Sequence, residues 1–145
     1  MSSLVIAIAA DHGGFELKSE LSGFLVGQGY QVLDLGTDSA DAVDYPDIAG
    51  RLTRTILDGA AERGVLICGT GIGIGIAANR VAGIRAATCP NATMARLARE
   101  HNDANVLSLG ARVIGFEAAR DIVLTFLNTP FDGGERHRRR IDKLG

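Results

Sequence analysis

From residue 4 to residue 127 the chain alternates short apolar runs with longer segments whose apolar residues recur on one helical face. That order restricts the fold to a layered α/β sheet, because parallel neighbouring strands need crossover connections and a helix is the usual one. Leu4-Val-Ile-Ala-Ile-Ala has little alternation and reads as a strand covered on both faces. Leu17, Leu21, Phe24 and Leu25 fall at i, i+4, i+7 and i+8, which predicts a one-faced helix stopping near Gly27 and Gly29. Residues 31–35 form a second strand. Asp44-Tyr45-Pro46 opens a second helix, with Pro46 tolerated in the first turn and Ile48, Leu52 and Ile56 on one face. A third strand over residues 65–68 runs into a glycine loop and a helix from Ile76 to Arg80. Residues 84–88 and 106–109 give strands four and five, separated by a helix from 91 to about 100. Phe116, Ala119, Ile122, Val123, Phe126 and Leu127 mark a last long helix.

The expectation is one domain over residues 1–145: a doubly wound, Rossmann-like, parallel five-stranded sheet with helices on both faces. Residues 130–145 follow as a basic arm or helix, too poor in apolar side chains to hold itself in place, and are expected to pack on a second subunit. The 145 residues leave no room for separate cofactor and substrate domains. No apolar run approaches the roughly 18 residues that would cross a bilayer, and no basic stretch precedes one as in a signal peptide. A soluble, cytoplasmic protein is expected, with no membrane partner. Cys68 and Cys89 lack C-x-x-C spacing, so neither a disulfide framework nor a structural zinc site is supported, and no metal is expected.

Charge is uneven. Residues 135–143 hold five of the 15 cations, and the remainder of the chain is acidic, at −5. A protein that coats nucleic acid is basic over a face, so this pattern argues against a nucleic-acid partner and for a small anion. Glycine, at 19 residues, is about twice its usual ~7% share.

Ligands of open α/β sheets bind outside the carboxyl ends of the strands. Asp11-His12 follows strand one, the run from Cys68 to Gly75 follows strand three, and His101-Asn102-Asp103 precedes strand five. Convergence of the first two is expected, and that of the third is less assured because it lies before its strand. Gly73-x-Gly75-x-x-Ala78 has the form of a dinucleotide fingerprint, but it sits on the third βα unit and no acid follows near position 95. A Walker loop fails for want of a lysine. What survives is a set of amides without side-chain cover at a helix start, able to hold a phosphate or a developing oxyanion. Close packing of helix on strand is the plainer reading of the same glycines. Cys68, at a strand tip facing that helix start, is placed for a lowered thiol pKa, whereas Cys89 reads as core. His12 and His101 singly read equally well as ordinary histidines, Asp11 as a cap, Asn102-Asp103 as a turn, and the four arginines from 136 to 140 as a solvated face.

Together these residues resemble the sugar-phosphate isomerase family that contains ribose-5-phosphate isomerase of the B type and galactose-6-phosphate isomerase. The matching pieces are Asp11-His12-Gly13-Gly14-Phe15 with Lys18, Asp44-Tyr45-Pro46, Ile67-Cys-Gly-Thr-Gly-Ile-Gly-Ile74 with Ala77-Ala-Asn-Arg80, and Gly83-Ile-Arg85-Ala86. His101-Asn102-Asp103-x-Asn105-Val106-Leu107, Gly110-x-Arg112-Val113 and Gly133-Gly134 before Arg136-His137 complete the set, in order over nearly the whole chain. The resemblance implies aldose-ketose interconversion of a phosphorylated sugar through a cis-enediolate, as in the pentose phosphate pathway, without metal or organic cofactor. It implies Cys68 as the base; the glutamate that serves a second branch is replaced here by Ile74. His101 and Thr70 would open the furanose ring, and Asp11 would handle protons at the sugar oxygens. His12, Arg112, Arg136 and Arg140 match phosphate-holding positions, and Gly69, Gly71 and Gly73 with Asn102 would face the oxyanion. A homodimer or homotetramer with the site between subunits is implied. Two departures stand out: Glu135 separates the glycines from Arg136-His137, and Thr93 replaces a frequent aromatic near the sugar. Substrate length, five carbons or six as in galactose or allose 6-phosphate, stays open. A non-enzymatic binder of a phosphorylated metabolite is the rival reading from another class.

Overall fold

A computed structural model describes residues 4–145. The elements are β1 (Val5–Ala10), a 3-10 turn (His12–Gly14), α1 (Phe15–Gly27), β2 (Gln31–Asp34), α2 (Tyr45–Leu57) and β3 (Arg63–Cys68). They continue with α3 (Ile72–Asn79), β4 (Ala86–Thr88), α4 (Ala92–Asn102), β5 (Val106–Gly110), α5 (Phe116–Asn128) and α6 (Glu135–Leu144). All pairings are parallel, in the order β2-β1-β3-β5-β4, with Ile6 beside Val32, Ala10 beside Ile67 and Cys68 beside Gly110. The expected doubly wound five-stranded sheet is therefore present. The chain leaves β1 in opposite directions to reach β2 and β3, so a crevice opens over the carboxyl ends of β1 and β3.

Side chains alternate across the sheet into two cores. Ile6, Ile8, Val65, Ile67, Leu107 and Leu109 pack under α1, α4 and α5. Ala7, Ala9, Leu66, Cys68 and Val106 pack under α2 and α3. The small residues of β1 on this second face let α2 lie close, which brings its first residue, Tyr45, over the crevice.

Several boundaries differ from the sequence reading; β3, for one, begins at Arg63 and not at Val65. The helix α3 starts at Ile72, four residues earlier than expected, because tertiary contacts overcome the poor helix propensity of Gly73 and Gly75. The strand β4 is shorter by two residues. The Asn79 side chain brackets Ala86, accepting from its N–H at 2.7 Å and donating to its carbonyl at 2.9 Å, at the edge of the sheet. The helix α4 runs two residues further, capped by Asn91 at its start and closed by Asp103 in the left-handed region at φ 44°. That end is pinned by Arg99, whose buried guanidinium donates to the Asp103 carboxylate at 2.8 Å and to the carbonyls of Ala104 and Thr129. The basic tail is a helix, α6, held on α4 where the His137 ring stacks on His101, centroids 4.6 Å apart and planes 11° apart. No helix among the described residues is long and apolar enough to cross a membrane.

Candidate active site

At the carboxyl end of β3, Cys68 turns its side chain toward α2 and α3 and is 5% exposed. Its Sγ accepts a hydrogen bond from the Gly71 N–H at 3.1 Å. The first amides of a helix have no partner within it. Here that of Ile72 is taken by the Thr70 hydroxyl oxygen at 3.2 Å, so part of the expected cradle is satisfied locally. Gly71 must be glycine: its φ is +80°, and a Cβ would lie 2.8 Å from the Leu109 carbonyl carbon. Gly73 must be small for a different reason, because a Cβ there would come within 2.8 Å of the Tyr45 ring.

The other crevice residues arrive from β1 and β5. Asp11, mostly buried, accepts the Gly13 N–H at 2.9 Å and so caps the 3-10 turn with one carboxylate oxygen. His12 accepts the Val43 N–H on Nδ1 at 3.2 Å, which assigns the proton of the neutral ring to Nε2, a donor available to an anion. Arg112 follows β5; its own N–H donates to the Gly69 carbonyl, and its side chain lies along Gly69. A cavity of about 470 Å³ lies alongside, lined by Asp11, His12, Val43, Asp44, Tyr45, Pro46 and Asp47. Among the described residues no group of three or more His, Cys, Asp or Glu is arranged to hold a metal ion.

His101, Asn102, Arg136 and Arg140 are not in this crevice. They sit at the last turn of α4 and on α6, at the amino end of the sheet, because α4 returns the chain to the start of a parallel strand. The three segments read from the sequence thus converge only as far as the first two. A second hollow, of about 590 Å³, includes Asn102, Arg80, Arg85 and Leu144 in its walls. Arg136 and Arg140 are one turn apart on α6, whereas Arg138 is engaged with the Gly133 carbonyl at 2.8 Å and the Phe131 ring. Arg136 and Arg140 thus share one face of α6. Loss of hydration, and then the neighbouring Arg136 guanidinium and His101 ring, hold the His137 imidazole below its ordinary value, against the pull of Asp132. Burial pushes the Cys89 thiol up to about 11.

Tyr45 and His137 fall within the Asp44-Tyr45-Pro46 and Arg136-His137 pieces, yet nothing in the sequence singles either out. Their contacts, one with Gly73 and the other with His101, are tertiary and leave no local pattern.

The family described as Ribose/Galactose Isomerase matches residues 6–144, and so takes in both hollows and every element of the sheet. The chain belongs to that family. It is 46% identical to ribose-5-phosphate isomerase B of Escherichia coli, over 96% of this chain and 93% of that one. A ribose 5-phosphate isomerase from Thermotoga maritima superposes with a TM-score of 0.97 at 55% identity, covering 99% of this chain and 98% of that one. Ribose-5-phosphate isomerase B of Clostridium thermocellum gives a TM-score of 0.96 at 52% identity, covering 98% and 95%. As a family member the chain is an aldose-ketose isomerase, which removes the reading as a non-enzymatic binder.

Proposed function

We propose that the protein interconverts ribose 5-phosphate and ribulose 5-phosphate, with Cys68 as the base. In the opened aldose, the Cys68 thiolate takes the C2 proton while the C–H electron pair forms the C1–C2 double bond and the carbonyl pair moves onto O1. Return of the thiol proton, exchanged in part with solvent, to C1, with passage of the O2 proton to O1 as the C2 carbonyl forms, leaves the ketose. Substrate electrons are conserved, so no oxidant or reductant enters. The observation that carries this reading is Cys68 Sγ at the strand tip, facing the Gly71 N–H at the start of α3 beside the crevice. An adjacent donor-rich backbone supports negative charge on the enediolate oxygens. Asp11 lines the crevice and Thr70 follows two residues after Cys68, while His12 and Arg112 would offer donors to the phosphate.

The crevice by itself is ill suited to a dianion. Asp11, Asp44 and Asp47 line it beside His12, with Arg112 adjacent, and the remaining candidate cations are at the other end of the sheet. This supports a site completed by a second copy, which would bring His101, Asn102, Arg136 and Arg140 to the crevice of its partner. Two free cysteines are consistent with a reducing, cytoplasmic setting.

The test is turnover of ribose 5-phosphate against allose and galactose 6-phosphates, run in deuterium oxide. Preferred conversion of the pentose, with solvent deuterium at the carbon that receives the proton, is expected. Faster turnover of a hexose phosphate rejects the substrate assignment, and complete retention of label-free product argues against an exchanging thiol base.

A further inference from the structure

We propose that Ser108, assisted by Thr88, is a positioning residue for Cys68: their hydroxyls hold the Gly71 carbonyl and thereby keep the Gly71 N–H on the sulfur. The inference rests on the reading of Cys68 as the base. Ser108 is the one polar side chain in β5, and it is fully buried between Leu107 and Leu109 on the face shared with Cys68. Its hydroxyl donates a short hydrogen bond to the Gly71 carbonyl. Thr88, from the neighbouring β4, donates to the same oxygen at 3.3 Å. That oxygen already accepts the Gly75 N–H at 3.2 Å, the bond that the start of α3 requires. The hydrogen bond that the helix itself makes to that oxygen is thus complete, and the two hydroxyls are extra partners to it. What they add is direction.

Glycine in the left-handed region has several accessible conformations, and one bonded atom does not select among them. On one side the loop lies close against β5, where a Cβ on Gly71 would come within 2.8 Å of the Leu109 carbonyl carbon. On the other, Ser108 and Thr88 fix the carbonyl from two strands at once. With both constraints in place the preceding N–H points back at Cys68 Sγ at 3.1 Å. Gly110, directly beside Cys68 in the sheet, lacks a side chain where a Cβ would meet the Thr70 carbonyl oxygen at 2.5 Å, so the loop can cross the end of β5. The alternation of hydroxyl and bare backbone along β5 thus matches the needs of the loop above it.

Ser108→Ala and Thr88→Val remove the hydroxyls one at a time with little change of shape. The decisive measurement is the rate of iodoacetamide labelling of Cys68 against pH, followed by peptide mass spectrometry, with Cys89 as the internal reference. The half-maximal pH for Cys68 is expected to rise by about 0.5–1 unit in Ser108→Ala and by less in Thr88→Val. In parallel, kcat should fall roughly five- to fiftyfold with KM within about twofold, a smaller loss than deleting a donor outright. Unmoved labelling midpoints in folded variants overturn the proposal. If Ser108→Ala does not fold, Thr88→Val decides alone, and an unchanged midpoint there is equally fatal. Cys68→Ser separates the two readings: full turnover in that variant rejects the base assignment, while the labelling midpoint of Cys68 still decides the clamp.

Discussion

Cys68 and Cys89 are both buried, yet their surroundings differ in kind. Cys68 Sγ accepts an amide N–H at the carboxyl end of β3, whereas Cys89 packs in the core under α4 and α5, where its thiol makes a 3.7 Å contact to the Ala87 carbonyl. Selective labelling should follow. Near pH 8 iodoacetamide is expected to modify Cys68 and leave Cys89 intact, because burial raises the latter to about 11; comparable labelling of both in native protein refutes this. The raised value has a stability consequence of defined sign. A thiol that titrates higher folded than unfolded contributes stability below its ordinary value of 9.0, and the contribution fades as pH rises toward 11. Melting temperature should therefore drop over that window in the parent and drop less in Cys89→Ala. For catalysis, Cys68→Ala should keep the far-UV spectrum and lower kcat by about 10²–10⁴-fold, the range typical of a lost proton-transfer group. The sequence made Cys68 conspicuous because a glycine run followed it. Nothing local made Ser108 conspicuous, since a serine in an apolar strand has no motif and its partner is 37 residues away.

The elements most readable from sequence were those whose periodicity and packing agree. The helix α1 has Leu17, Leu21 and Leu25 buried at the expected spacing, and α5 buries Ala119, Ile122, Val123, Phe126 and Leu127. The helix α3 was read short because its first turn is held by Tyr45, Thr88 and Ser108, none of them near it in sequence. Its left-handed cap gives a direct test. Gly71→Ala should cost about 1–3 kcal/mol of stability and abolish turnover, since a Cβ meets the Leu109 backbone and tips the N–H off the sulfur. A variant of unchanged melting temperature and activity would show that the cap is dispensable. The helix α6 is legible only as a basic arm or helix, because what fixes it is one ring stacked on α4. His137 titrates lower folded than unfolded, so its contribution is present above the ordinary 6.5 and is lost as pH falls below it. Loss of hydration is the largest cause of that loss, followed by Arg136 and His101 and last by Arg140, and Asp132 opposes it. Thermal midpoints between pH 8 and pH 5 should fall less in His137→Phe, which keeps a ring on His101 without a titrating nitrogen. Equal slopes in the two proteins would reject the contact as the source.

At the scale of the molecule, a parallel sheet determines which ends can meet. A segment after a strand and one before a parallel strand lie at opposite edges, so Cys68 and His101 belong to different ends of one chain whatever the details of packing. The sequence already makes the approach of His101 less assured because it lies before its strand, and the parallel pairing of β3 with β5 turns that into a separation. A second copy related by a two-fold axis can join the ends reciprocally, forming two equivalent sites. The arrangement predicts complementation. Cys68→Ala and His101→Ala should each be nearly inactive as pure proteins. In a mixed dimer, one site collects both lesions and the other receives neither. Random pairing makes about half of the dimers mixed, each with one intact site of two, so about a quarter of parental activity should return after the variants are unfolded and refolded together. Pairing Cys68→Ala with Asp11→Ala instead should restore nothing, since Asp11 and Cys68 are at the same end of the chain and every site then carries at least one lesion. Restoration in that second mixture, or none in the first with mixed dimers verified by mass, would reject the division of the site between subunits.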